Sequence, residues 1–218
     1  MKSALIVYGG WDGHEPEAVA HHLADLLKLE QISADLSDSL SSFSDSDRLT
    51  QYDLIVPVWT KGDIAEEWVQ NVCRAVAEHG VGIGGCHGGM CDAFRDCVPW
   101  HYLTGGQWVA HPGNDGVRYK VKVTKDHPVT RGVTDFEVVS EQYYMHVDPS
   151  NDVLATCEFP NPTVTSESVS PCEMPVVWTR MYGKGRVFYF SVGHNKAALT
   201  GDAPATLLRQ GFAWAARG

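Results

Sequence analysis

The run Gly84-Gly85-Cys86-His87-Gly88-Gly89 follows the apolar stretch Val81-Gly82-Ile83. A short apolar strand that runs into glycines and then into a helix predicts a nucleophile elbow, a sharp turn that lifts one side chain clear of a sheet beside free backbone N–H groups. Small residues suit both sides of such a turn, because it is strained and the backbones pass closely. The run fits Gly-x-Cys-x-Gly around Cys86 and equally Gly-x-His-x-Gly around His87. A thiol at the elbow would be a nucleophile. A neutral imidazole there would be a general base near pH 7 or a metal ligand. Both registers stay open at this level, as does an elbow that does no chemistry.

Further candidates lie along the chain. His14 closes the loop Gly9-Gly10-Trp11-Asp12-Gly13-His14, and His111 precedes Pro112. Glu141 heads the segment Glu141-Gln142-Tyr143-Tyr144-Met145-His146, where a carboxylate beside aromatics can stack and hydrogen-bond a sugar, or act as an acid or base with a raised pKa. His194 ends the apolar run that begins at Arg186. His14, His111, Glu141 and His146 could complete a divalent metal site with His87. No close HxxxH-type spacing supports that site, so it depends on convergence in space. Trp11 and Trp59 fall at the ends of predicted strands, where flat apolar faces suit ligand binding, although core packing explains most tryptophans equally well. The loop at 9–13 lacks both GxGxxG and a P-loop lysine, so no nucleotide or hydride cofactor is evident.

The elements that must position these residues alternate in the first half. Strands are expected at 5–8, 53–59 and 81–85, with a helix from Pro16 to Leu29 whose apolar face is Val19, Leu23, Leu26 and Leu27. A second helix is expected to start from an Asp63 cap with Glu66 in capping-box spacing and to stop at Gly80. Strands separated by helices predict a mostly parallel sheet with helices on both faces, and ligands then bind at the carboxyl ends of the strands. His14, the Thr60-Lys61-Gly62 loop and the elbow should converge there. The second half reads as short strands at 117–123, 136–139, 153–156, 176–179 and 186–192, with a hairpin turn at Tyr182-Gly183-Lys184-Gly185. A closing helix spans 204–216. No repeat or linker divides the chain, so one domain over 1–218 is expected.

Composition narrows the partners. Of 218 residues, 44% are hydrophobic and 20% charged, ordinary for a globular protein with a substantial core. A formal charge of -10 argues against nucleic acid or an anionic membrane as partner. Met1 to Tyr8 reads as a short buried strand rather than a signal peptide. None of Cys73, Cys86, Cys91, Cys97, Cys157 and Cys172 forms a CxxC pair, so a structural zinc ribbon is not expected. These features lead to the expectation of a cytoplasmic protein with free thiols. A homo-oligomer is compatible with the fold, but nothing identifies an interface.

A set of motifs in fixed order carries a resemblance. They are Gly85-Cys86-His87-Gly88, Trp100-His101-Tyr102-Leu103-Thr104-Gly105-Gly106, Ala110-His111-Pro112, and His127-Pro128-Val129-Thr130-Arg131-Gly132. Beyond them come Glu141-Gln142-Tyr143-Tyr144, Pro175-Val176-Val177-Trp178-Thr179-Arg180, and Tyr182 to Tyr189 leading to Gly193-His194. Together they resemble the ThuA-like (trehalose utilisation) proteins, a branch of the class I glutamine amidotransferase-like fold. The resemblance implies a flavodoxin-like three-layer α/β sandwich and a link to trehalose and keto-sugar metabolism, with a small sugar or sugar derivative as partner. It puts His87 at the elbow position. Amidotransferases of this fold place a glutamate two residues beyond the triad histidine, and here that position is Lys196.

Three readings follow from the resemblance. In the first, His87 and Glu141 perform acid–base chemistry on a sugar derivative, such as isomerisation, hydration or hydrolysis, with His194 and His111 lining the pocket. His14, Trp11, Trp59, Tyr143 and His146 would then contact the substrate. In the second, Cys86 is the nucleophile of an amidase or hydrolase with His194 as its base. In the third, the chain is a non-catalytic sugar-binding or regulatory module.

Overall fold

Alternating apolar strands and amphipathic helices build the first half as the pattern requires. The computed structural model describes residues 2–161 and 169–218. Strand β1 (Lys2–Gly10) leads into helix α1 (Pro16–Leu29), which buries Val19, Ala20, Leu23, Leu26 and Leu27. Strand β2 (Ile32–Ser37), the one-turn helix α2 (Ser46–Leu49), strand β3 (Leu54–Thr60) and helix α3 (Glu66–His79) follow. Strand β4 (Gly82–Cys86) enters the short helices α4 (Gly88–Cys91) and α5 (Val98–Thr104). Met1, placed by the sequence in the first strand, lies outside the described residues.

The second half is built from strands: β5 (Gly106–Ala110), β6 (Val117–Val123), β7 (Phe136–Ser140), β8 (Tyr144–Val147), β9 (Asp152–Phe159), β10 (Cys172–Tyr182) and β11 (Gly185–Phe190). Helix α6 (Asp202–Ala215) closes the described chain. Nine strands form one sheet in the order β2-β1-β3-β4-β11-β10-β9-β6-β7, while β5 and β8 pair as a separate ribbon. The first five positions follow the flavodoxin-type order 2-1-3-4-5.

The expectation of a mostly parallel sheet is corrected. Pairing is parallel from β2 through β11, but β11-β10, β10-β9, β9-β6 and β6-β7 are all antiparallel. The physical reason lies in the connections. A parallel neighbour needs a crossover, usually through a helix, whereas the turn at Gly183-Lys184 brings β11 straight back along β10. Helices cover both faces, as expected. A side chain at Gly84 would strike Phe212 of α6, and one at the next residue, Gly85, would strike Met90 of α4, on the opposite face. Helix α1 packs on α6, while α3 packs on α2 and α5.

Helix α3 departs from its expected start. Lys61 and Gly62 both take positive φ (61° and 74°), and Lys61 bridges to Ala93, so the chain turns away before the helix forms. The cap is Ala65, which makes no side-chain cap bond, and the Asp63 capping box is absent. Gly80 ends the helix in the left-handed region as expected. Trp100 and Trp178 are core anchors: their indole N–H groups donate to Met90 O (2.9 Å) and Thr104 O (3.1 Å). No helix among the described residues is long and apolar enough to cross a membrane.

Candidate functional site

Four parallel strands deliver side chains to one point at their carboxyl ends. His14 lies in a 3-10 turn (Asp12–His14) just after β1. Its Nδ1 sits 2.8 Å from Thr60 Oγ1 at the end of β3, which aims Nε2 inward. The elbow after β4 supplies His87, and a left-handed turn after β11, with Gly193 at φ 141°, supplies His194. Gly88 must lack a side chain here, because a Cβ would lie 2.7 Å from His14 Cε1.

The elbow residue is His87. Its φ of 50° and ψ of -143° are left to glycine in most proteins, a strain of about 1–3 kcal/mol. Strand β11 and the residue after it hold it there. His87 N–H donates to Phe190 O (2.8 Å), Tyr189 O–H donates to His87 O (3.1 Å), and His87 Nδ1 donates to Ser191 O (2.8 Å). The Ser191 carbonyl can only accept, so the tautomer is fixed and Nε2 presents a lone pair.

That lone pair faces a carboxylate. Glu141, in the loop between β7 and β8, is 3% exposed. Its Oε2 lies 3.0 Å from His87 Nε2 and 3.6 Å from both His14 Nε2 and His111 Nδ1, while Oε1 lies 3.1 Å from His194 Nδ1. Burial alone would push the Glu141 carboxyl up. The surrounding nitrogens of His14 and His87 outweigh burial and hold it below the ordinary carboxylate range, the reverse of the raised value expected from the sequence. Burial pushes the His87 imidazolium down to about 4, and the bond to Glu141 offsets this only in part. A neutral imidazole lone pair and an ionised carboxylate therefore meet at hydrogen-bond distance. Among the described residues, His14 Nε2 and His194 Nδ1 are buried without a hydrogen-bond partner.

Such a set could hold a cation between its members. One donor atom each from His14, His87, Glu141 and His194 lies within 4.8 Å of the others. Ligands of a tetrahedral zinc bonded at about 2.0–2.1 Å sit roughly 3.3 Å apart, so a modest contraction of these side chains would close a cage of three imidazoles and one carboxylate. The hydrogen bonds to Thr60 and Ser191 orient two of these imidazoles, as the outer partners of a metal ligand would.

Other expected residues divide into those brought to the centre and those left out. Tyr143 stacks on His87 (ring centroids 4.0 Å apart) with a buried hydroxyl that has no partner among the described residues. Burial, and next the Glu141 charge, raise that phenol well above its usual value. Trp11 is 42% exposed and meets the edge of His14 at 4.8 Å. His111 is half-buried and accepts a bond from Trp108 Nε1 (3.0 Å).

Three expectations are corrected. Cys86 is the last residue of β4, not the elbow residue, and alternation along the strand turns its thiol into the core. Burial pushes that thiol up to about 12, and the imidazole nitrogen Nδ1 of His194 faces Glu141 instead. Trp59 packs over the backbone of Gly9, where its ring fills the space of the missing side chain, and makes no ring contact with the histidines. His146 points outward on β8, edge-on to Tyr144, because the pleat that buries Met145 exposes its neighbour. His127 lies away from the centre, where its Nδ1 accepts from Val129 N–H (3.2 Å) within the turn.

Sequence reasoning missed Asp92 and Arg95. They pair through both carboxylate oxygens, and the Arg95 guanidinium lies 4.2 Å over the Trp108 ring. Their i,i+3 spacing just after the elbow was the available signal.

The mixed sheet flanked by helices is an α/β fold similar to those of ThuA-like proteins and glutamine amidotransferases. A model of the ThuA family, described as trehalose utilisation, matches residues 3–215, and the chain belongs to that family. A ThuA-like protein from Bacteroides uniformis shares the fold at TM-score 0.79 and 20% identity, covering 98% of this chain and 91% of that one. A glutamine amidotransferase from Thermotoga maritima aligns at TM-score 0.54 and 12% identity over 88% of this chain and 75% of that one. A β-galactosidase from Bacillus circulans contains a similar unit, at TM-score 0.61 and 13% identity, over 98% of this chain and 30% of that one. Curated proteins gave no match.

Proposed function

We propose that this chain is an enzyme that performs metal-assisted acid–base chemistry on a sugar or keto-sugar derivative. His14, His87, His194 and Glu141 would hold a divalent ion of the zinc class. The observation that carries the reading is the contact of His87 Nε2 with Glu141 Oε2 at 3.0 Å, in a tautomer that leaves no proton between them. A bound divalent ion supplies the missing charge and polarises a substrate oxygen or bound water. His111 stands outside the ligand set and is the half-exposed histidine at the centre. It is the group placed to pass a proton between substrate and solvent. The tryptophans beside His14 and His111 supply flat faces for a sugar ring. Family membership supports the sugar class.

Elemental mass spectrometry of untagged wild-type protein beside Glu141→Gln and His87→Ala tests the reading. Near-stoichiometric zinc, or another divalent metal, should be present in wild type and absent from both variants. Metal-free wild type that also fails to take up added zinc overturns it.

A further inference from the structure

The centre has two aromatic walls of the same construction. On one side His14 leans on Trp11, and Lys61 Nζ lies 4.3 Å over the Trp11 ring. On the other His111 meets Trp108 at 5.3 Å, and Arg95 lies over Trp108. Both cations are within range of a cation–π contact. The backbone ties the walls together: Lys61 N–H donates to Asp92 O (2.8 Å), and Lys61 bridges to Ala93.

The two walls differ in charge. Arg95 is neutralised by the buried carboxylate of Asp92, which is 4% exposed. Lys61 is exposed, and among the described residues no carboxylate lies within ion-pair distance of its ammonium. Its sequence neighbour Asp63 and, beside Trp11, Asp12 make no ion pair with it. Trp11, at 42% exposure, is the open wall, and the Lys61 ammonium lies over one face of its ring, so an anion that reaches the exposed rim of the indole meets the lysine. A chain of formal charge -10 thus keeps an uncompensated cation at the mouth of its histidine centre. A local positive potential of this kind concentrates and orients anions.

We infer that Lys61 is a specificity residue that selects a sugar acid, a polyhydroxy compound carrying a carboxylate, over the corresponding neutral sugar. This deepens the sugar reading above and rests on it. The ring or chain would lie along the exposed rim of Trp11, with its carboxylate against the Lys61 ammonium and a neighbouring oxygen turned to the histidines. Lys61 donates no ligand atom to the centre, so its effect is separable from metal binding.

Isothermal titration calorimetry tests this with three matched pairs: D-glycerate and glycerol, D-gluconate and D-sorbitol, D-glucuronate and D-glucose. Wild type, Lys61→Gln and Lys61→Arg are compared, and metal content is measured on the same samples. At least one acid should bind wild type about tenfold more tightly than its neutral partner, the size expected of a charge-assisted contact. That preference should vanish in Lys61→Gln, persist in Lys61→Arg, and shrink in high salt. The inference is overturned if no acid is preferred, or if the preference survives in Lys61→Gln. Metal-free wild type overturns the metal centre alone, because the acid preference is still read on that sample.

Discussion

The parallel and antiparallel halves of the sheet contribute unlike things to one centre. The parallel half, β1 through β4 with β11, brings His14, His87 and His194 to neighbouring strand ends, each on a turn with a positive φ close by. The antiparallel half brings the carboxylate Glu141, together with Tyr143 and, from the β5–β8 ribbon, His111. Position comes from one half and charge from the other. A strand-end cluster of histidines alone is a set of lone pairs, and the buried glutamate adds the negative charge that the proposed divalent ion would balance.

Several experiments would break or sharpen that contrast. The largest effect is expected where the halves are joined. Trp178→Ala on β10 removes a fully buried indole bonded to Thr104 O, and should lower unfolding free energy by about 3–5 kcal/mol in chemical denaturation. A loss under about 1 kcal/mol, well below the usual cost of such a truncation, would mean the antiparallel half is held some other way.

Next comes the charge itself. Glu141→Gln should weaken zinc binding by about a hundredfold or more in a competition titration, because a buried anionic ligand is replaced by a neutral one. If affinity held, the histidines of the parallel half would suffice alone.

The metal-free protein should also lose stability in acid. An unfolded imidazole protonates near 6.5, while burial keeps His87 neutral down to about 4. The unfolded chain therefore takes up the extra proton first. The contribution is complete above about pH 6.5 and is lost as pH falls toward 4. Glu141 acts in the same direction, since its carboxyl is held below the ordinary range and its contribution is lost at still lower pH. Urea midpoints at about pH 7.5 and about pH 5 in the presence of a chelator would show the fall, and equal midpoints would contradict it.

A smaller effect is expected one bond further out. Thr60→Val deletes the hydroxyl that orients His14 and should weaken zinc about tenfold without unfolding the protein. His146→Ala should change neither metal content nor stability measurably, and a clear loss would move β8 into the centre.

What could be read in the sequence follows the same division. Helix α1 matches its expected span, because apolar spacing and Pro16 are local signals. The elbow was legible, but the choice between Cys86 and His87 needed the strand's phase, which a short glycine-rich strand does not show. The antiparallel pairing was masked because β-strands of either sense alternate alike, and connection length alone separates them. Glu141, His111 and His194 were legible as residue types with turn-forming neighbours. Their meeting on one carboxylate depends on pairings between distant strands. Trp59 and His146 failed as site residues for a simple reason: nearness to a strand end does not say which way a side chain points.

The grip on His87 has a consequence for how this scaffold can change. Two of the three bonds that fix the residue, to Phe190 O and from Tyr189, are made by its main chain, and only the bond to Ser191 uses the imidazole. The turn is thus largely indifferent to which side chain it displays. It works as a socket, and new chemistry at this position needs only a new occupant, with the frame around it left unaltered.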